Sequence, residues 1–166
     1  RIYSILLQGA KLLKADYSDE LYDAYHTLLC YFSSLKDLGH AKTLLEDDVA
    51  MQRLKILHTK HGIDKDDEKK HLRRFLNFDN VIELTSRISD NEIPEVMNRL
   101  EKSSDEYGSI DACLATNMIA VGLDVQRLGL MCCVAQPKST AELRKLHHPP
   151  KNQRVLPRLS RGPHLH

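Results

Sequence analysis

Asp111-Ala-Cys-Leu-Ala-Thr-Asn-Met-Ile-Ala-Val-Gly-Leu-Asp-Val125 is the stretch whose reading decides the fold. After Asp111 the residues stay apolar through Ala115, with no polar alternation. That is the pattern of a strand buried on both faces of a parallel sheet. Thr116 closes the run. A short helix is expected next, broken at Gly122, with Asp124 just beyond it. Leu130-Met-Cys-Cys-Val-Ala135 then supplies another strand. Strand, short helix and strand in that order make a crossover unit.

The alternation continues toward the N-terminus. Val81-Ile-Glu-Leu-Thr85 reads as a strand. Ser89-Asp-Asn-Glu92 has the form of a capping box, opening a helix with Ile93, Val96, Met97 and Leu100 on its apolar face. Thr27-Leu-Leu-Cys-Tyr-Phe32 is a further, almost continuously apolar strand. Ser33 and Ser34 follow it, and Leu35, Leu38, Ala41 and Leu45 recur at helical spacing, so a serine at the junction serves as N-cap. Residues 47–76 read as more helix with a break near Gly62, a helical insertion after the first strand. Residues 2–14 read as a helix with Ile2, Ile5, Leu6, Ala10 and Leu13 on one face, followed by a polar stretch from Asp16 to Asp23. The expected fold class is α/β, a parallel sheet flanked by helices.

Composition sets the outer limits. In 166 residues, 42% apolar and 28% charged side chains suffice for one globular core. A formal net charge of +1 leaves no strong overall field for a polyanion, though a local basic patch is compatible with it. No apolar run approaches the roughly 20 residues of a membrane span. No membrane partner is expected, and the protein is expected to be soluble and cytoplasmic. Cys30, Cys113, Cys132 and Cys133 lack Cys-x-x-Cys spacing, and the last three sit in apolar runs, which predicts small buried hydrophobes. The run from Asp64 to Arg74 reads as a solvated helix face, with a basic half, Lys69 to Arg74, able to meet phosphates. Asp47-Asp48 and Asp66-Asp67 read as surface charge. Ser139-Thr-Ala-Glu142 announces another helix, but His147-His-Pro-Pro150 stops it, and the chain to His166 is Pro-, His- and Arg-rich with little periodicity. Its four histidines, His147, His148, His164 and His166, lack ligand spacing, so no metal site is expected.

Gly-x-x-x-x-Gly-Lys-Ser/Thr, Gly-x-Gly-x-x-Gly, Gly-x-Ser-x-Gly and His-Glu-x-x-His are all missing from the sequence. Chemistry is therefore sought where parallel α/β domains place ligands, at the C-terminal ends of the strands. A threonine hydroxyl and open backbone amides at a helix start, as at Thr116, can hold a phosphate. A carboxylate past a glycine turn, as at Asp124, can receive a ribose hydroxyl or orient a basic group. Spacing alone fits an ordinary crossover better, with Thr116 as cap and Gly122 as stop.

Residues 114–131, Leu-Ala-Thr-Asn-Met-Ile-Ala-Val-Gly-Leu-Asp-Val-Gln-Arg-Leu-Gly-Leu-Met, closely resemble motif V of superfamily-2 helicases, in the variant of large bacterial DEAD/DEAH-type helicases that include phage-defence proteins of the DISARM kind. Residues 25–39, Tyr-His-Thr-Leu-Leu-Cys-Tyr-Phe-Ser-Ser-Leu-Lys-Asp-Leu-Gly, resemble motif IV and its helix. Glu83-Leu-Thr-Ser-Arg87 resembles the following strand-end segment, and Gln136-Pro-Lys-Ser-Thr-Ala-Glu142 the approach to motif VI. The resemblance implies a RecA-like (P-loop NTPase-like) helicase C-terminal domain over residues 23–142, after an N-terminal helical segment over 1–22 and before an irregular tail over 143–166. It implies that Thr116, with the amides of Asn117 and Met118, holds a phosphate of the tracking strand. Ser33, Ser34 and the Thr85-Ser86-Arg87 turn would be further backbone contacts. Gly122 and Asp124 would face the ATP cleft. The implied partners are single- or double-stranded DNA, with RNA as the alternative, and the N-terminal RecA-like domain of the same helicase. ATP and Mg2+ are the cofactors of the intact helicase, and no complete site for them is expected in this chain. Motif VI, Gln-x-x-x-Arg-x-Gly-Arg, is not matched by Leu143-Arg-Lys-Leu-His-His-Pro-Pro150, so no arginine-finger role passes to Arg144, Arg158 or Arg161. The phosphate loop of a first RecA-like domain is also missing. The expectation is a fragment of an ATP-dependent helicase or translocase without hydrolysis of its own. The alternatives are a non-catalytic nucleic-acid-binding module of the same fold and an inactive helicase remnant.

Overall fold

The computed structural model describes residues 1–63, 68–116, 125 and 127–134. Helices α1 (Ile2–Asp16) and α2 (Asp19–His26) lead into strand β1 (Leu28–Tyr31). A helical rod follows, made of α3 (Leu35–Leu44), a π-helical stretch (Leu45–Arg53) and α4 (Leu54–Lys60). Two 3-10 turns (Lys70–Leu72 and Phe78–Asn80), strand β2 (Val81–Leu84), helix α5 (Ile93–Glu101), and strands β3 (Ala112–Ala115) and β4 (Leu130–Cys133) complete the described elements.

The four strands are parallel, in the spatial order β2-β3-β1-β4. One face of the sheet carries Leu28, Cys30, Ala112, Leu114 and Val81 against Leu7 of α1 and Leu38, Ala41, Leu45, Val49 and Leu54 of the rod. The other carries Leu29, Tyr31, Cys113, Ala115 and Leu84 against Leu100 of α5, with Ile110, Val125 and the half-buried Leu128. Covering both faces explains why Thr27–Phe32 and Asp111–Ala115 lack polar alternation. From β1 the chain runs past β3 to β2 along the rod's face, and from β2 it returns to β3 along the α5 face. Opposite directions on opposite faces give crossovers of one hand, as the handedness rule for parallel units requires. The result is an α/β fold compatible with a RecA-like domain.

Several expectations change. The polar stretch Asp16–Asp23 contains most of α2, because Ser18 caps it by accepting the Leu21 amide at 3.3 Å and Asp19 and Glu20 occupy its first turn. On α1 the buried side chains include Ser4 and Gln8, whereas Ile2 and Ile5 are 66% and 57% exposed. Gln8 belongs inside because its amide donates to the Leu72 carbonyl at 2.9 Å and accepts the Arg74 amide at 3.1 Å. The break at Gly62 is real, with φ of 65°. Helix does not resume through residue 76: beyond it the described chain has one 3-10 turn, Lys70–Leu72, and then irregular backbone. Arg74 is therefore not part of a solvated face but is 6% exposed. The Ser89–Glu92 box forms only in half. Glu92 accepts from the Ser89 amide and hydroxyl, and the helix itself begins at Ile93. Cys30 and Cys113 are buried, but Cys132 is half-buried and Cys133 exposed, since β4 is an outer strand of the described sheet. Asp66, Asp67, the Ser139–Glu142 box and the tail lie outside the described residues, as do the four late histidines.

Candidate functional site

Parallel register brings the four strand ends level. Leu84, Ala115, Tyr31 and Cys133 lie side by side across the sheet. The ladder continues one residue further, with the Phe32 amide donating to the Ala115 carbonyl at 2.8 Å and the Val134 amide to that of Tyr31 at 2.9 Å. Thr85, Thr116 and Phe32 therefore stand at one height, and Ser33 and Ser34 lie just past it. Six of the ten residues singled out in the sequence, Ser33, Ser34, Thr85, Ser86, Arg87 and Thr116, share this carboxyl rim. Asn117, Met118, Gly122 and Asp124 lie outside the described residues. The chain leaves β1 for the rod's face, and after β3 it is next described on the α5 face, at Val125. The carboxyl ends of the strands are the usual ligand position of an open α/β sheet. Thr116 and Ser33 follow neighbouring strands at that end.

The rim side chains differ in what they have to offer. Thr116 and Ser33 are half-buried. Ser34 is committed as the cap of α3: its hydroxyl accepts the Asp37 amide at 3.1 Å and donates to the Asp37 carboxylate at 2.6 Å. That carboxylate satisfies the positive end of α3 and would repel a phosphate from the same spot. The Thr85 hydroxyl accepts the Arg87 amide at 3.2 Å, and the Thr85 carbonyl accepts the Ile88 amide at 3.1 Å, which closes a turn. The turn leaves Ser86 and Arg87 exposed, and the Arg87 guanidinium has no carboxylate partner among the described residues. The rim thus offers hydroxyls, one guanidinium and one carboxylate. Among the described residues no group of three or more His, Cys, Asp or Glu could hold a metal ion.

A second polar assembly lies at the opposite, amino-terminal ends of the strands. Asp111 precedes β3 and His26 ends α2. The Asp111 carboxylate accepts from Arg74 Nη2 at 2.7 Å and from the Asn77 amide at 3.0 Å, and it lies 3.4 Å from His26 Nε2. His26 Nδ1 meets the Tyr22 hydroxyl at 2.8 Å and Arg74 Nη1 at 3.2 Å. The guanidinium faces both ring nitrogens, but the Asp111 carboxylate beside Nε2 only accepts, so the ring proton sits on Nε2 and Nδ1 accepts. Burial pushes His26 below the ordinary histidine range, with the Arg74 charge adding to it and Asp111 opposing it. Burial alone would raise the Asp111 carboxyl, but His26, Arg74 and the Asn77 amide together hold it below the usual carboxylate range. Perturbed groups often mark active sites. Here both carboxylate oxygens are engaged, the cluster is closed to solvent, and it sits at the end of the sheet away from the carboxyl rim. Its work is structural: it ties α1, α2, β1, β3 and the 72–77 segment together.

Arg127 makes a second tie. Its Nε and Nη2 reach both Asp23 carboxylate oxygens, at 2.9 and 2.8 Å, and Nη1 donates to the Leu100 carbonyl at the end of α5, at 3.0 Å. Asp23 also accepts the Ser104 amide at 2.6 Å, and these contacts hold its carboxyl low against the upward push of burial. Sequence reasoning passed over both clusters. The available signal was a lone charged residue directly before an apolar strand, as Asp111 is, or a histidine directly before one, as His26 is.

No family model matches the chain. It is 43% identical over 145 residues to the DISARM protein DrmA of Bacillus paralicheniformis. That alignment covers 86% of this chain and 12% of the relative's length. Identity at that level over most of the chain supports a relationship to DISARM-type proteins.

Proposed function

We propose that this chain, a relative of the DISARM protein DrmA over most of its length, is part of the second RecA-like domain of an ATP-dependent helicase or translocase in phage defence. The observation that carries the reading is the shared carboxyl rim, where Ser33, Ser86, Arg87 and Thr116 line one edge of the parallel sheet and the buried Thr85 braces the turn that holds Ser86 and Arg87. Hydroxyls and a guanidinium in a row suit the sugar–phosphate backbone of a DNA strand, which carries charge but no sequence information. RNA would be held by the same groups. Ser34 contributes through its place in the α3 cap rather than through a free hydroxyl.

Nucleotide is a different matter. The sequence has no phosphate loop. ATP and Mg2+ are assigned to a facing RecA-like domain, with Gly122 and Asp124 bordering the cleft. The chain alone is expected to show no sustained ATP turnover, even with saturating single-stranded DNA. A non-catalytic binding module of the same fold is the second reading, favoured by the departure of Leu143–Pro150 from the motif VI pattern.

Fluorescence anisotropy with a labelled single-stranded oligonucleotide, titrated across salt concentrations, tests the grip. Thr116→Ala is expected to weaken binding by about tenfold to a hundredfold, the scale of one hydrogen bond to a charged group. Arg87→Ala should flatten the slope of log affinity against log salt by roughly 0.7, the release expected for one phosphate contact on a single strand. Unchanged affinity and slope in both variants would remove this rim from the interface.

A further inference from the structure

Between α5 and β3 the chain makes a short turn, Ser103-Ser-Asp-Glu-Tyr-Gly108, at the amino-terminal end of the sheet. Tyr107 at its apex is 99% exposed. An aromatic left wholly in water on a flexible loop would need no explanation, but this loop is tightly held. The Ser103 amide donates to the Glu106 carboxylate at 2.8 Å, and the Ser103 hydroxyl reaches Asp105 at 2.7 Å and Glu106 at 2.9 Å. The Ser104 amide is anchored on Asp23 at 2.6 Å, which is itself fixed by Arg127. Lys102 donates to the Tyr107 carbonyl at 3.0 Å, and Arg99 to that of Gly108 at 3.1 Å. Gly108 takes φ of 81°, a conformation that glycine alone adopts cheaply, and a Cβ there would crowd Lys102 Nζ at 3.3 Å. The backbone on both sides of Tyr107 is thus fixed from at least four directions, while its ring touches nothing.

We propose that Tyr107 anchors a protein-docking site, entering an apolar pocket rimmed by lysine or arginine on a partner protein. A tyrosine on a fixed backbone gives a large contact area for little further loss of conformational freedom, which is why tyrosine is enriched among interface hot spots. The turn's charge selects the class of partner. From residue 101 to residue 108 the chain carries Glu101, Asp105 and Glu106 against Lys102. Those carboxylates repel a polynucleotide or an anionic membrane surface and favour a basic protein rim. The site is at the end of the sheet opposite the carboxyl rim, so a partner held here leaves that rim open. Nothing in this assignment depends on the nucleic-acid reading.

Site-specific photo-crosslinking tests it in the intact protein, inside the cells that encode it. A benzophenone amino acid replaces Tyr107, and in a control it replaces Asn98, which is exposed on α5. The expected result is a protein adduct unique to position 107, with the attached peptide mapping beside lysine or arginine. Asp105→Asn with Glu106→Gln, which keeps acceptors for Ser103 while removing charge, should cut that adduct by about thirtyfold, a loss on the scale of a hot spot. Thermal unfolding of the neutralised variant, unchanged, shows that the loss is not one of folding. Adducts only to nucleic acid or lipid, equal labelling from position 98, or an adduct indifferent to neutralisation would each overturn the proposal.

Discussion

Arg74 shows best how one side chain sets the stability of this domain. It is donor to Asp111 and to the His26 carbonyl, at 2.7 and 3.2 Å, in a site closed to water. Removing it leaves a buried carboxylate without its counter-charge, which typically costs about 3–5 kcal/mol. Arg74→Met is therefore expected to lower the urea midpoint steeply, while Arg74→Met with Asp111→Leu should recover a large part of the loss. A double variant as unstable as the single one would mean that the pair matters through something other than its charge. The same site fixes the response to pH. His26 is depressed in the folded state from an ordinary 6.5, so the unfolded chain takes up a proton first. Its contribution is complete above about pH 6.5 and is lost as pH falls through the lower folded value. Asp111 is depressed from 3.8, and its contribution is lost at more acid pH, below that figure. Urea midpoints measured from pH 8 to pH 3 should fall in two stages, and His26→Gln should abolish the first. A midpoint flat between pH 7 and pH 5 in the unaltered chain would contradict a buried neutral His26.

At the scale of elements, two glycines carry constraints that differ in kind. Gly62 ends the rod with φ of 65° and open space around its Cβ position, so Gly62→Ala should cost only the left-handed conformation, about 1–2 kcal/mol. Gly129 leads into β4 with ordinary φ, but a Cβ there would stand 2.9 Å from the Ala24 carbonyl oxygen, to which its own amide donates at 2.7 Å. Gly129→Ala should therefore push β4 away from α2. Denaturation of both variants, with Gly129→Ala the less stable, checks the distinction. Legibility followed the same physics. Strands β1, β2 and β3 were readable because each is an uninterrupted or nearly uninterrupted apolar run, and Gly62 because a lone glycine stops a helical period. The α2 helix was hidden because its charged first turn looks like a loop until Ser18 is taken as its cap. The buried face of α1 was misjudged because Ser4 and Gln8 go inward on hydrogen bonds that hydropathy does not register. At the rim, strand-end positions could be read from the pattern alone. The commitment of the Ser34 hydroxyl to Asp37 could not, since it depends on which way a side chain turns.

For the whole molecule, α1 and α2 are more than an approach to the sheet. Leu7 joins the core cluster that covers Leu28 and Cys30, Gln8 holds the 72–74 segment, and Tyr22, Asp23 and His26 supply partners to both polar ties. Cutting the chain before residue 23 would expose the rod-side face of β1 and leave His26 and Arg74 without Tyr22 and Gln8. Burial of one leucine is worth about 1.5–3 kcal/mol, and a domain of this size has only about 5–15 kcal/mol in total. Loss of Leu7 together with two buried polar partners thus approaches the whole margin. A chain beginning at Asp23 is expected to lose its cooperative melt in circular dichroism, whereas Ile2→Ala in the full chain should keep it, because Ile2 faces solvent and contributes little. If the shorter chain melted as sharply and at the same temperature as the full one, α1 and α2 would be an appendage, and the two polar ties would be ornaments rather than the frame that holds the rim level.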